Sequence, residues 1–175
     1  MTINGSVLLR RVALADAPAI LDGFRAPDMS RQGEVQDEPS AAAYTRALVE
    51  NTYGFALADA GRLVGVVAVD ADLRNRLGWF WYWTKPSHRG RGLTARAAAT
   101  VANWALGAGG LERLELGHRA NNPASGAVAR AAGFIQEGLE REKFLVEGRR
   151  IDVLTYGRLY SDPQPPTEEL PLTHG

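Results

Sequence analysis

No cysteine occurs in the 175 residues, which excludes disulfides, thiolate nucleophiles, zinc fingers and iron–sulfur ligation together. Histidine is almost as scarce, limited to His88, His118 and His174, so no histidine metal cluster is expected. An excess of one charge sign is also missing. Lys plus Arg number 20 and Asp plus Glu number 20, so there is no global field for nucleic acid or an anionic membrane, and any polyanion must be met locally. No apolar run approaches the ~18 residues that span a bilayer, and residues 1–9 show no basic segment ahead of an apolar stretch. The expectation is a soluble, cytoplasmic protein. With 45% apolar and 23% charged residues, the length suits one globular domain burying about two-thirds of its unfolded surface.

What is present alternates between strand and helix periods. Ser6 to Val12 alternates like a strand, and Asp16-Ala17-Pro18 opens a helix through Arg25. A polar loop from Pro27 to Glu38 leads to a second helix over Pro39 to Glu50, with Ala41, Tyr44, Ala47 and Leu48 on one face. Tyr53 to Ala58 and Arg62 to Asp70 read as a hairpin closed by Asp59-Ala60-Gly61, and Leu77 to Thr84 extends the meander. Leu93 to Leu106 is the most regular helix, with Leu93, Ala97, Val101 and Trp104 at helical spacing. Leu111 to His118 alternates again. Asn122-Pro123 then opens a short helix that stops at Gly133, with Asn as N-cap and Pro at the first helical position. Two strands follow, Phe134 to Val146 and Arg149 to Tyr160, joined at Glu147-Gly148. Residues 1–160 therefore form a single domain, and residues 161–175, with four prolines, read as a tail.

The window from Thr84 to Arg96 holds Lys85, His88, Arg89, Arg91 and Arg96, no acid, and two glycines immediately before the long helix. The first amides of a helix have no intrahelical acceptor and lie at the positive end of its dipole. Gly90 and Gly92 let that backbone approach phosphate oxygens that a Cβ would obstruct. A P-loop is absent, since no G-x-x-x-x-G-K-[ST] string occurs. Gly90-x-Gly92-x-x-Ala95 satisfies the looser dinucleotide fingerprint, with Glu115 about twenty residues on as a ribose-binding acid, so a dinucleotide-dependent oxidoreductase is a minor alternative. Against it, five residues separate the preceding strand from the first glycine, and several strands come before the loop.

The set R-G-R-G-L-T-A at 89–95, N-P-A-S at 122–125 and A-A-G-F-I-Q-E-G-L-E-R at 131–141 resembles the GNAT acetyltransferase superfamily, in the branch of the ribosomal-protein N-terminal-alanine acetyltransferases. The resemblance runs from Leu8 to Tyr160 and implies an α+β fold, a mixed sheet of about seven strands flanked by about four helices, in the order βααβββαβαββ. It implies that acetyl-coenzyme A lies in a V-shaped gap between the strand ending at Trp83-Thr84 and the strand ending at His118. The pyrophosphate would then rest on the amides of Arg89, Gly90, Arg91, Gly92, Leu93 and Thr94, and Asn122 and Ser125 would lie beside the thiol arm. Where relatives carry Gln or Arg three residues before the first loop glycine, this chain has Ser87.

A thioester is already activated, so an oriented amine can attack it directly, and the lack of cysteine agrees with transfer in one step. The leaving thiolate benefits from a hydroxyl donor, for which Ser125 is the candidate by its family position. His118 is a candidate base on the face of Leu114 and Leu116, and Glu142, grouped with Glu140 and Phe144, is a competing one. Glu115 reads as a solvated strand residue. Trp79, Trp81 and Trp83 form an aromatic stripe suited to core packing, with Trp83 placed to wall the acyl channel. Asp28, Glu34, Asp37 and Glu38 face only Arg31 in their loop, a charge that would steer a cationic amine. The expected acceptor is a protein N-terminus or a small amine metabolite or antibiotic, with no metal, nucleic acid or membrane partner and a monomer or homodimer as the working unit. A non-catalytic acyl-coenzyme A sensor or scaffold is the alternative of a different class.

Overall fold

The structure, a computed structural model, describes residues 7–173. Ser6, the expected start of the first strand, and residues 174–175 of the tail, including His174, lie outside the described residues. The elements are β1 (Leu8–Arg11), α1 (Ala17–Gly23), α2 (Glu38–Glu50), β2 (Gly54–Asp59), β3 (Arg62–Asp72), β4 (Leu77–Thr84), α3 (Leu93–Leu106), β5 (Arg113–Arg119), α4 (Pro123–Ala131), β6 (Ile135–Val146) and β7 (Arg149–Leu159). Short 3-10 turns occupy Pro27–Arg31 and Pro86–His88. The seven strands form one sheet in the order β1-β2-β3-β4-β5-β7-β6. Every neighbouring pair is antiparallel except β4 with β5. The element order is the expected βααβββαβαββ.

Local chemistry accounts for the boundaries. Ala60 and Gly61 (φ 49° and 78°) close β2–β3, and Glu147 and Gly148 (φ 49° and 75°) close β6–β7. Both pairs are left-handed, as a two-residue turn matched to strand twist requires. Asn122 caps α4 by accepting a 3.3 Å bond from the Ser125 amide, and Gly133 (φ 82°) ends it. Asp37 caps α2 by accepting from the Ser40 amide at 2.9 Å, so the helix begins at Glu38, one residue before the expected start. Ala47, expected on the buried face of α2, is exposed, and Thr45 is buried instead. Ala41, Thr45 and Leu48 follow one helical stripe, whereas Ala47 lies roughly a third of a turn away.

The sheet separates two cores. On one face α3 contributes Ala97, Ala98, Ala99, Val101, Ala102 and Ala105, all fully buried, against Phe55, Val67, Phe80, Leu114 and Leu116. These small side chains let the helix lie close to the strands. On the other face Ile20, Met29 and Leu48 cover Ala56, Val66, Ala68 and Trp83. The proline-rich C-terminal segment folds back across α3. Leu170 is buried and its amide donates to Thr100 Oγ1 at 2.8 Å. Beyond it, Leu9 N donates to Pro171 O at 2.8 Å and Thr173 N donates to Leu9 O at 2.9 Å. Leu172 thus pairs in parallel with Leu9 and covers the outer edge of β1.

Candidate active site

β4 and β5 are paired only at Leu77 with Arg113, Gly78 with Leu114 and Trp79 with Glu115. Beyond that point β4 continues alongside β3 to Thr84, and β5 continues alongside β7 to Arg119. The two halves of the sheet therefore part into a V. Along its inner side the β4 edge from Phe80 to Thr84 has no strand partner, so an extended ligand rich in amides can add to it. The cleft is open on both sheet faces. Tyr82, Thr84, Thr94, Asn122, Ala124, Ser125 and Val128 line it on the α3/α4 side, and Asp28, Met29, Arg31, Gln32 and Trp83 on the other.

At the mouth of the V, Gly90 and Gly92 both sit at φ 72°, and a Cβ at either would meet nothing within 4 Å. The requirement for glycine is conformational, and the open space is what an approaching oxyanion needs. Gly92 is the N-cap of α3, and no side chain caps this end. The first amides of α3 are thus left to an outside acceptor.

The cations around this loop are less free than the acid-free sequence window implies, because other elements bring carboxylates to them. Lys85 Nζ bonds Asp22 Oδ2 at 2.9 Å. Arg89 donates through Nε to Thr84 O at 2.7 Å and through Nη1 to Asp28 Oδ2 at 2.8 Å. His88 and Arg91 approach Asp59 at 3.5 and 3.7 Å. The Lys85 hydrogen bond holds the Asp22 carboxyl below the usual carboxylate range. Of the expected phosphate ligands, the backbone and the half-exposed Arg91 are presented outward, while Arg89 clamps β4 to the turn carrying Asp28.

Deeper in the V, the Tyr82 hydroxyl donates to Ser125 O at 2.8 Å and lies 3.1 Å from Ser125 Oγ. Burial pushes the Tyr82 phenol up to about 12, so it keeps its proton at neutral pH. Thr84 Oγ1 and Thr94 Oγ1 are 2.8 Å apart. Tyr82 is a site residue that sequence reasoning passes over. Its signal is strand alternation, which sets Phe80, Tyr82 and Thr84 opposite the tryptophan stripe at the point where β4 leaves β5.

Both candidate bases lie elsewhere. His118 is buried under α4, its Nδ1 2.8 Å from Arg119 O and its Nε2 3.4 Å from the Tyr156 hydroxyl, with its ring stacked on Tyr156. A carbonyl only accepts, so Nδ1 carries a proton. The alternation that groups His118 with Leu114 and Leu116 is correct, and it turns the ring into the core rather than the cleft. Glu142 is exposed at φ 53° within a register break of β6 between Glu140 and Phe144, its amide donating to Asp152 Oδ1 at 2.7 Å. That break removes the shared face expected for Glu140, Glu142 and Phe144. Glu115 accepts from Arg113 Nε at 2.8 Å. The tryptophan stripe is graded rather than uniformly buried: Trp79 is exposed, Trp81 bonds Asp70 at 3.1 Å, and Trp83, buried, donates to the Tyr44 hydroxyl at 3.1 Å. Of the acidic loop, Asp28 is paired with Arg89, Asp37 caps α2 while remaining exposed, and Glu34 and Glu38 are exposed as well.

Residues 6–135 match the family described as acetyltransferase (GNAT) domain. The ribosomal-protein-serine acetyltransferase of Escherichia coli (strain K12) is 30% identical over 98 residues, 55% of this chain and 55% of that protein. The chain thus spans about half the length of the curated relatives it matches. Among solved structures, a spermidine N-acetyltransferase SpeG chimera from Vibrio cholerae and hSSAT superposes with a TM-score of 0.79 at 20% identity, covering 89% of this chain and 96% of that one. RimL, a ribosomal α-N-protein acetyltransferase in complex with coenzyme A, gives 0.77 at 21% identity, with 88% and 94% covered.

Proposed function

The chain belongs to the GNAT acetyltransferase family, and on that premise we propose that it transfers the acetyl group of acetyl-coenzyme A directly to a primary amine within the β4–β5 cleft. The observation that carries this reading is the splayed parallel pair ending at a glycine loop that opens an uncapped helix. The unpaired β4 edge at Trp83 and Thr84 would hold the amide-rich arm, the amides from Arg89 through Thr94 the phosphates, and Asn122 the flank of the arm. Coenzyme A bound to RimL supports the assignment of the ligand. The cofactor supplies an activated thioester, so the protein's work is orientation and proton handling.

Ser125 Oγ lies 3.1 Å from the Tyr82 hydroxyl, whose single proton bonds Ser125 O, so the serine hydroxyl is the donor to a departing thiolate and Tyr82 holds it in place. For the incoming amine, Asp28 is the single carboxylate among the described cleft residues, and Arg89 holds it. Proton loss from the amine therefore goes to water in the open cleft. The rising limb of kcat/KM against pH should then follow the pKa of the acceptor amine, shifting when acceptors of different basicity are compared. An unshifted limb would identify an enzyme base.

The deciding experiment combines calorimetric titration of coenzyme A with thiol release in the presence of an acceptor panel, since the relatives act on a ribosomal protein and on spermidine. Coenzyme A should raise stability by mass action, ~2.7 kcal/mol at a hundredfold excess over Kd. Binding without turnover on any amine would leave an acyl-coenzyme A sensor. Absence of binding would remove the assignment altogether.

A further inference from the structure

The charges around the cleft are not evenly satisfied. Lys85, Arg89, Arg91, Arg96 and Arg113 each lie within 4 Å of a carboxylate. Arg31 and Arg119 form no ion pair among the described residues. Arg31 comes from the 3-10 turn after α1 and lines the cleft. Arg119 ends the diverging arm of β5. Strand alternation sets its side chain opposite His118, hence on the sheet face that Arg31 shares and away from α3 and α4. Its guanidinium lies 5.6 Å from the centre of the Phe144 ring, which gives it a direction without neutralising it. Burial first, and then the like charge of Arg31, lower the Arg119 pKa from its ordinary value. Of the two carboxylates three residues from Arg31, Asp28 is already held by Arg89, and Glu34 is exposed and forms no ion pair among the described residues. Two guanidiniums thus stand on one sheet face at the open end of the V, neither of them paired with a carboxylate among the described residues, an arrangement that a bound carboxylate would relieve through forked, charge-assisted bonds.

We infer that the acceptor carries, besides its amine, an anionic carboxylate group that Arg31 and Arg119 bind on the face of the cleft opposite the cofactor loop. This rests on the acetyl-transfer reading above and narrows its acceptor. It reverses the steering expected from the acidic loop and places polyamines among the poorer substrates. The carboxylate can be the α-carboxylate of a free amino acid or an acidic side chain near a peptide N-terminus.

The test follows thiol release with alanine against alaninamide, and with Ala-Asp-Gly-amide against the Asn and Lys versions of the same peptide. In one of the two series the anionic acceptor should exceed its neutral partner in kcat/KM by about tenfold or more. The series that shows it identifies the source of the carboxylate. Arg31→Gln and Arg119→Gln should each pull that ratio toward one, mainly through KM for the acceptor. Arg31→Glu should turn the preference toward the Lys peptide, a gain that misfolding cannot produce. Neutral or cationic acceptors used equally well by the parent protein, with ratios insensitive to both glutamine variants, would overturn the inference while leaving acetyl transfer standing. No turnover on any acceptor would strike the transfer reading itself, and the inference with it.

Discussion

Tyr82 and Ser125 sit 3.1 Å apart through their hydroxyls, so their roles are separable only by substitution of each and of both. Tyr82→Phe and Ser125→Ala should each lower kcat by about ten- to a hundredfold, with KM for acetyl-coenzyme A little changed, and the double variant should be no worse than the poorer single one. Single-turnover measurement checks this even if product release limits the steady state. Multiplicative losses would mean two independent roles. Ser125 is a candidate from the sequence through its family position in N-P-A-S, and Asn122-Pro123 marks the helix that carries it. Tyr82 is not, since the face of β4 that meets the gap depends on where β5 diverges. His118 shows the opposite case: its strand face can be read from alternation, but its cover by α4 and Tyr156 cannot. Glu142 fails for a local reason, a left-handed residue inside a strand, that no alternation pattern reveals.

At the scale of elements, the loop before α3 is held by ion pairs from distant parts of the chain, and the segment joining β1 to α1 by a local one between Arg10 and Asp16. Asp28→Asn should release Arg89 from its 2.8 Å partner toward the phosphates and tighten coenzyme A binding several-fold by calorimetry; weaker binding would show instead that the clamp is needed to shape the loop. Gly92→Val should have the reverse effect. A β-branched residue at φ 72° costs ~1–3 kcal/mol of strain, and the added bulk blocks the approach of phosphate. In the other segment, Asp16 accepts two 2.8 Å bonds from Arg10 and one at 2.9 Å from the Ala13 amide. Burial raises its pKa, but these bonds outweigh it and the net shift is downward. The stabilisation is therefore complete above the unfolded value of ~3.9 and is lost as pH falls through the lower folded value. Thermal melts between neutral and acidic pH should show a shallower acid limb in Asp16→Asn than in the parent. The helices and hairpins themselves were readable from caps and turns, because those signals are local. The carboxylates that neutralise the loop were not, because they come from α1, β2 and a 3-10 turn.

Across the whole molecule, the element order follows from periodicity together with caps and turns, while the gap between β4 and β5 is implied by the family resemblance. The C-terminal strap follows from neither, for its residues have neither period, and its burial exists only against the finished surface of α3. Leu170, 4% exposed, should cost about 2–5 kcal/mol when replaced by Ala, measured by urea unfolding; a change near zero would show that the strap merely rests on the domain. Arg158, equally deep, donates to Ala132 O at 2.8 Å and to Asn103 Oδ1 at 2.5 Å, tying β7 to both helices of that face. The strap has a further consequence in time. Leu172 follows its partner Leu9 by 163 residues, so on a ribosome adding ~5–20 residues per second the outer edge of β1 waits roughly 10–30 seconds for its cover. During that interval a nascent chain presents an open strand edge to its neighbours, an exposure that the stability of the finished protein does nothing to shorten.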